Sequence, residues 1–242
     1  MQILNNSKQT INSTNVALAV GDGIGPEIMD VVMRILQKSG ARLKFEFVEL
    51  GEKLYQKGYE TGISEDAISV ILRNKILLKG PITTPQGGGF KSINVTLRKM
   101  LGLYANVRPC KSYHPFVKTN FPNLDVIIIR ENEEDLYAGI EYKQTQDSVT
   151  CIKLITRSGC EKIIRYAFEY VRKNNRKKLT CMTKDNIMKM TDGLFRSVFN
   201  EISSEYPEIQ TDHYIIDIGT ARLAANPEIF DTIVTFSSPF IE

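Results

Sequence analysis

The stretch Val16-Ala17-Leu18-Ala19-Val20-Gly21-Asp22-Gly23-Ile24-Gly25-Pro26 decides the fold. Five apolar residues make a short strand that runs into a glycine-rich turn. Pro26 then sits where a helix can begin, because a first-turn residue needs no backbone N–H. Beyond it Ile28, Val31, Val32, Ile35 and Leu36 recur at the i, i+3, i+4, i+7, i+8 spacing of an amphipathic helix. Gly40 is placed to end that helix in a left-handed conformation. Leu43, Phe45 and Phe47 alternate with Lys44 and Glu46, as in a half-buried strand. Strand, helix and strand in this order are the repeating unit of α/β architecture.

The same alternation continues along the chain. Ser64, followed by Glu65 and Asp66, has the pattern of an N-cap with acidic residues on the positive end of a helix dipole. Residues 75–79 form the next strand, and a loop with Gly87, Gly88 and Gly89 precedes a helix from near Ser92. Residues 125–130 are a continuous apolar strand that closes on Arg130. Ser158 and Glu161 are spaced as a capping box for a helix to about residue 173. Residues 179–183 read as a buried strand, and the segment after Lys184 as helical to about residue 202. The expectation is an α/β fold with helix-covered sheets and no Pro/Gly/Ser-rich linker between independent halves.

Composition narrows the function. With 242 residues, 42% hydrophobic and 24% charged, the chain is neither a disordered tail, a fibre nor a disulfide-rich miniature. Its longest apolar runs, such as residues 126–129, fall far short of the roughly 18 residues that span a bilayer, so no membrane association is expected. The net charge of +3 is too mild for a nucleic-acid partner and leaves small anions open. Cys110, Cys151, Cys160 and Cys181 lack metal-ligand spacing and read as reduced core thiols of a cytoplasmic protein. Residues 1–15 are polar, with neither a secretory nor a transit pattern, and read as a frayed tail.

Several groups of residues carry chemistry. Gly21-x-Gly23-x-Gly25 departs from the dinucleotide fingerprint, because Glu27 stands near the end that would meet pyrophosphate; a tight strand-to-helix turn is favoured over nucleotide binding. On the helix after the triple-glycine loop, Ile93, Leu97, Met100 and Leu101 make an apolar stripe with Asn94 and Arg98 four apart on its flank. Ser92 stands at its start, where backbone N–H groups and the dipole favour an anion; an anion site and an ordinary polar edge both account for the pattern. Arg108 and Arg130 add two planar forks suited to carboxylates, with surface salt bridges as the plain alternative. The run Arg172, Lys173, Arg176, Lys177 and Lys178 reads as a solvated helix end, and His114 and His213 as structural.

With these residues assembled, the chain resembles the isocitrate and isopropylmalate dehydrogenase family of β-decarboxylating dehydrogenases. The matching blocks are the Gly21 to Glu27 turn, residues 79–98, Tyr104-Ala105-Asn106-Val107-Arg108-Pro109, Arg130-Glu131-Asn132 with residues 135–141, and Thr183-Lys184-Asp185-Asn186-Ile187-Met188-Lys189. Ser92-x-Asn94-x-x-x-Arg98 is similar to the isocitrate branch. The resemblance implies a three-layer α/β fold, with an incomplete large domain plus a smaller α/β domain. It implies oxidative decarboxylation of isocitrate to 2-oxoglutarate with NADP, or NAD, and Mg2+ or Mn2+. Residue by residue, Ser92, Asn94, Arg98, Arg108 and Arg130 would hold the substrate carboxylates. Tyr137 and Lys184 match the acid/base pair, and Thr83, Thr84 and Asn186 match positions near the nicotinamide. Asp217 matches a metal aspartate supplied across a homodimer interface, where Lys184 also acts.

The expected divisions are a tail at 1–15, the first part of the large domain at 16–104, a small dimerisation and substrate domain at 105–235, and a divergent end at 236–242. The family's motif with two further metal aspartates has no counterpart after Thr235. A shortened, catalytically incompetent chain that at most binds substrate anion or associates with subunits is the alternative expectation. Apolar helix faces left uncovered would be its structural mark.

Overall fold

A computed structural model describes residues 13–83 and 92–236, in two units divided between Leu97 and Arg98. Gly87, Gly88, Gly89, Thr84 and the divergent end from residue 237 onward lie outside the described residues.

In the first unit, β1 (Thr14–Ala19) leads to α1 (Gly25–Lys38) and β2 (Leu43–Phe47). Then come α2 (Glu52–Gln56), α3 (Glu65–Asn74) and β3 (Leu77–Lys79). The strands form a parallel sheet in the order β2-β1-β3. Central β1 is apolar on both faces, with Val16, Ala17, Leu18 and Ala19 all buried, as expected of a parallel strand with neighbours on both sides. Ser64 caps α3 as its spacing predicts, its hydroxyl accepting the Ala67 N–H at 3.2 Å.

The glycine turn is a packing turn. Gly21 has φ of 85°, and a Cβ there would lie 2.1 Å from the Pro81 carbonyl oxygen. The Asp22 carboxylate accepts the backbone N–H groups of Glu52, at 3.1 Å, and Thr83, at 3.0 Å. The turn thus satisfies its polar groups within the chain, in agreement with the favoured reading. Two expectations in this unit need correction. Phe47 is exposed, because β2 is an edge strand. The α1 stripe has the predicted spacing, yet Ile28, Val31 and Ile35 are exposed and Met29 carries the helix's apolar burial; nothing among the described residues covers the stripe.

The helix α4 (Ile93–Leu101) runs across the division between the units. Ile93 and Leu97 are buried as predicted, but Met100 is half exposed because it has turned off the buried side by the last turn. The second unit continues with β4 (Ala105–Lys111), β5 (Asp125–Glu131), β6 (Asp135–Lys143) and β7 (Val149–Leu154). After these come α5 (Arg157–Lys173), β8 (Lys178–Thr183), α6 (Thr191–Ser203), β9 (Gln210–Ile215), α7 (Ile216–Ala225) and β10 (Thr232–Thr235).

Five strands form one sheet in the order β4-β5-β10-β8-β9, parallel except for β4. On one face Ile127, Ile129, Leu179, Cys181 and Val234 pack against α5 and α6. On the other, Val126, Ile128, Met182 and Ile233 pack against Ile216 of α7 and against Phe230. Helices on both faces make this unit three-layered.

Sequence spacing misplaces some details here. The cap of α5 is Thr156, whose hydroxyl accepts the Gly159 N–H at 3.0 Å, rather than the Ser158/Glu161 box. Thr156 is itself held by Glu134, which takes the Thr156 N–H at 2.8 Å and its hydroxyl. Thr156→Ala is expected to cost about 0.5–2 kcal/mol; a fall in urea midpoint at unchanged slope checks it, and an unchanged midpoint contradicts it. Residues 185–187 and 189–190 are turns, so the predicted helix starts only at Thr191. Cys160 and Cys181 are core thiols, whereas Cys110 is partly buried and Cys151 is exposed on β7.

The cationic run also departs from a simple solvated face. Arg176 bonds Asp231 at 2.7 Å and pairs with Asp125, and Lys178 pairs with Asp212 at 2.7 Å. Both tie the start of β8 to neighbouring strands.

Candidate active site

The carboxyl ends of β5, β10, β8 and β9 lie along one edge of the five-stranded sheet, where open α/β sheets bind ligands. Register orders what they carry. Thr235 of β10 stands beside Arg130 of β5 on one side and Met182 of β8 on the other. On the antiparallel side, Asn106 of β4 stands opposite Arg130. Residues paired in register project to the same face, so Asn106, Arg130, Thr235 and Met182 share the α7 face. Arg108, two residues from Asn106, projects the same way, and its Nε donates to Asn106 Oδ1 at 3.4 Å.

Arg130 is only 2% exposed. Its guanidinium lies 5.2 Å from the centroid of the Tyr137 ring on β6, which brings two predicted site residues together. The strand turns back because Glu131 organises the intervening loop: its carboxylate accepts the backbone N–H groups of Glu133 at 2.7 Å and Glu134 at 3.1 Å. Burial pushes the Glu131 carboxyl above its usual range despite these donors. Arg98, partly buried on α4, is linked to the same strand through its neighbour Lys99, whose Nζ donates to the Ala138 carbonyl at 3.3 Å.

Ser92 and Asn94 lie at the head of α4, where Thr96 N–H donates to the Ser92 carbonyl at 2.9 Å. Asn94 Oδ1 is buried without a hydrogen-bond partner among the described residues. Such an acceptor is costly unless a ligand hydroxyl or amide meets it. Asn94 and Arg98 share one side of the helix, as their spacing predicts.

A second pair forms at the end of β8. Lys184 Nζ pairs with the Asp217 carboxylate in the first turn of α7, and the Lys184 backbone N–H donates to Asp192 Oδ2 at 2.7 Å. Lys184 follows β8, which lies two strands from β5, so its Cα is on the order of 10 Å from that of Arg130. On the opposite face Thr183 Oγ1 lies 2.8 Å from His213 Nε2, and Asp185 accepts from Thr183 at 3.0 Å and from Arg196 at 2.8 Å. Burial, together with Arg196, pushes the His213 pKa below its usual value.

Thr83 is exposed beside the Asp22 turn in the first unit, and Asn186 is exposed after Lys184 in the second. Both offer neutral hydrogen-bonding groups compatible with a carboxamide. For a divalent cation the fit is poor. Magnesium and manganese sites gather several oxygen donors, yet no group of three His, Cys, Asp or Glu side chains among the described residues could hold an ion. Asp217 instead faces Lys184. Asp192 and Lys153 were not singled out by the sequence, because they are 39 residues apart and only the fold makes them partners.

A profile of the family described as isocitrate/isopropylmalate dehydrogenase matches residues 15–237. The chain is 64% identical over 222 residues to a Rickettsia bellii protein named isocitrate dehydrogenase [NADP], covering 92% of this chain and 46% of that one. It is 42% identical over 222 residues to a Thermus thermophilus protein of the same name, with 91% and 45% covered. A crystal structure of the TT0538 protein from Thermus thermophilus superimposes with a TM-score of 0.87 at 42% identity, covering 92% of this chain and 45% of that chain. The chain thus spans about half the length of the curated relatives it matches.

Proposed function

Because the chain belongs to the isocitrate/isopropylmalate dehydrogenase family, we propose that it serves the oxidative decarboxylation of isocitrate to 2-oxoglutarate. The observation that carries this is the buried Arg130 guanidinium set 5.2 Å from the Tyr137 ring. It puts a fixed cation beside a phenol at the carboxyl edge of the sheet, where a carboxylate substrate and a proton donor are both needed. The proposal assigns the substrate carboxylates to Arg98, Arg108 and Arg130, and Ser92 and Asn94 to its polar flank. The names of the relatives support NADP rather than NAD as the nicotinamide cofactor. That cofactor, when bound, accepts a hydride from C2, with Thr83, Thr84 and Asn186 assigned to its ring.

Within this reading the arginines fix the substrate so that its departing groups leave in defined directions. Lys184 moves the proton of the C2 hydroxyl as the ketone forms. Once the β-carboxylate has left as CO2, Tyr137 gives a proton to the carbon that carried it. Asp217 is assigned as a ligand for Mg2+ or Mn2+, but no step is derived through a metal, because Asp217 stands without a converging donor set among the described residues.

The same proposal includes a homodimer and a cytoplasmic setting. Among the described residues no helix is long and apolar enough to cross a membrane. The dimer is supported by the β6–β7 ribbon, where Ile140, Tyr142, Ile152 and Leu154 share one face and are all substantially exposed. A two-stranded ribbon is marginally stable unless that face is covered. Ile152→Lys is expected to convert a dimer to a monomer in sedimentation velocity; a variant that still sediments as a dimer contradicts the assignment.

Calorimetric titration with isocitrate and with isopropylmalate tests the branch. Isocitrate is expected to bind more tightly, and the reverse order overturns the assignment. Arg98→Ala removes one charge-assisted contact and is expected to weaken isocitrate binding about 10- to 150-fold; unchanged affinity rejects its role. A second reading, binding without turnover, is favoured by Asp217, whose carboxylate pairs with Lys184 and meets no converging donor set among the described residues.

A further inference from the structure

Beneath Lys184 lie three charged side chains that the reaction described above does not use. Asp192, in the first turn of α6 and 2% exposed, places Oδ1 2.6 Å from Lys153 Nζ and Oδ2 2.7 Å from the Lys184 backbone nitrogen. Lys153 on β7 also lies 3.7 Å from Asp135 Oδ2, and its ammonium sits 4.9 Å from the centroid of the Phe236 ring. Asp135 is 3% exposed and opens β6, two residues before Tyr137. It holds φ of 60°, a conformation uncommon for a residue with a side chain. These residues line a cleft of about 280 Å3 that Lys184 and Ile216 also border.

Charged groups in so buried a place contribute little net stability over well-packed apolar ones, because their desolvation offsets their attraction. What they supply here is direction. Asp192 spends one oxygen on a cation from β7 and the other on a backbone amide of the loop after β8. The Lys184 carbonyl accepts the N–H groups of Ile187 and Met188 in the turn that follows, while its own N–H is held by the carboxylate, which thereby helps set where the Lys184 side chain departs. The outcome is the Lys184–Asp217 pair at the head of α7. At the other end of the series, Asp135 anchors the strand that carries Tyr137.

We propose that Asp192 is a positioning residue for Lys184, and that Lys153 and Asp135 extend it into one clamp joining the Lys184 loop to the Tyr137 strand. Its importance for catalysis rests on the roles proposed above for those two residues. The clamp itself is tested without substrate, so its failure is distinct from failure of the assigned reaction.

In the unsubstituted chain, the Lys184 amide is expected to exchange hydrogen more slowly than in an unstructured peptide; exchange at the free-peptide rate overturns the proposal. Asp192→Asn puts an NH2 donor where one of the two carboxylate oxygens stood, against either the Lys153 ammonium or the Lys184 amide. It is expected to remove that protection and to raise acylation of Lys184 by acetic anhydride about two- to fivefold, as the side chain is released from Asp217 and becomes more accessible to the reagent. Exposed Lys143 and Lys173 serve as internal references and are expected to stay unchanged. Asp217→Asn is expected to give the same rise, and the double variant no more than either alone, because both act on one pair. Lys153→Met, which leaves Asp192 without its cation, is the second variant should Asp192→Asn fail to fold, and is expected to shift Lys184 labelling the same way. Unchanged Lys184 labelling in a folded variant, or a rise shared by all three lysines, overturns the proposal.

Discussion

Lys184→Met is expected to lower kcat about 100- to 10,000-fold while moving the isocitrate KM far less, the signature of a group needed for proton transfer rather than for uniform binding. Methionine keeps the unbranched stem and loses only the amine. The backbone N–H of residue 184 still reaches Asp192, whose acceptor oxygen stands 2.7 Å away in the parent chain, so the loop keeps its anchor. Asp217 loses its cation, but it is exposed and water can solvate it. In the proposed assignment substrate binding rests on the arginines of α4, β4 and β5, which the substitution does not touch. Steady-state kinetics of a variant with native circular dichroism checks this. A kcat within a factor of a few of the parent would remove Lys184 from the reaction, and a dominant rise in KM would make it a binding group.

The second large effect concerns the layer that holds the sheet edge in place. Phe168→Ala is expected to destabilise the second unit by about 3–5 kcal/mol. Phe168 is fully buried between the sheet and α6, stacked on Tyr206 at 4.7 Å between ring centroids and tilted against Phe199 at 5.5 Å. Neither neighbour can close the void easily. Phe199 is fixed on α6, and the Tyr206 hydroxyl donates to Glu169 at 2.9 Å. Urea unfolding followed by circular dichroism reads the loss as a lower midpoint. A fall of under about 1 kcal/mol would mean that the site can collapse, contrary to this packing.

Much of the fold is legible because it is local. The apolar run of β1, the Ser64 cap and the continuous apolar strand ending at Arg130 each follow from spacing along a few residues. What escapes is set by partners far along the chain. Thr156 rather than Ser158 caps α5 because Glu134, 22 residues away, holds it from another segment. The ribbon of β6 and β7 escapes because its apolar face is exposed, so burial does not mark it out in the pattern. At the site, Arg130 and Tyr137 stand out by motif, and the structure sets them together. Asp192 and Lys153 carry no motif; only tertiary structure makes them neighbours.

The most direct measurement is turnover of the purified protein with isocitrate, Mn2+ and NADP, following NADPH and CO2 together. Equal amounts of both are expected with isocitrate and far less with isopropylmalate. Preferential turnover of isopropylmalate, or isocitrate binding with no NADPH formed, would contradict this expectation.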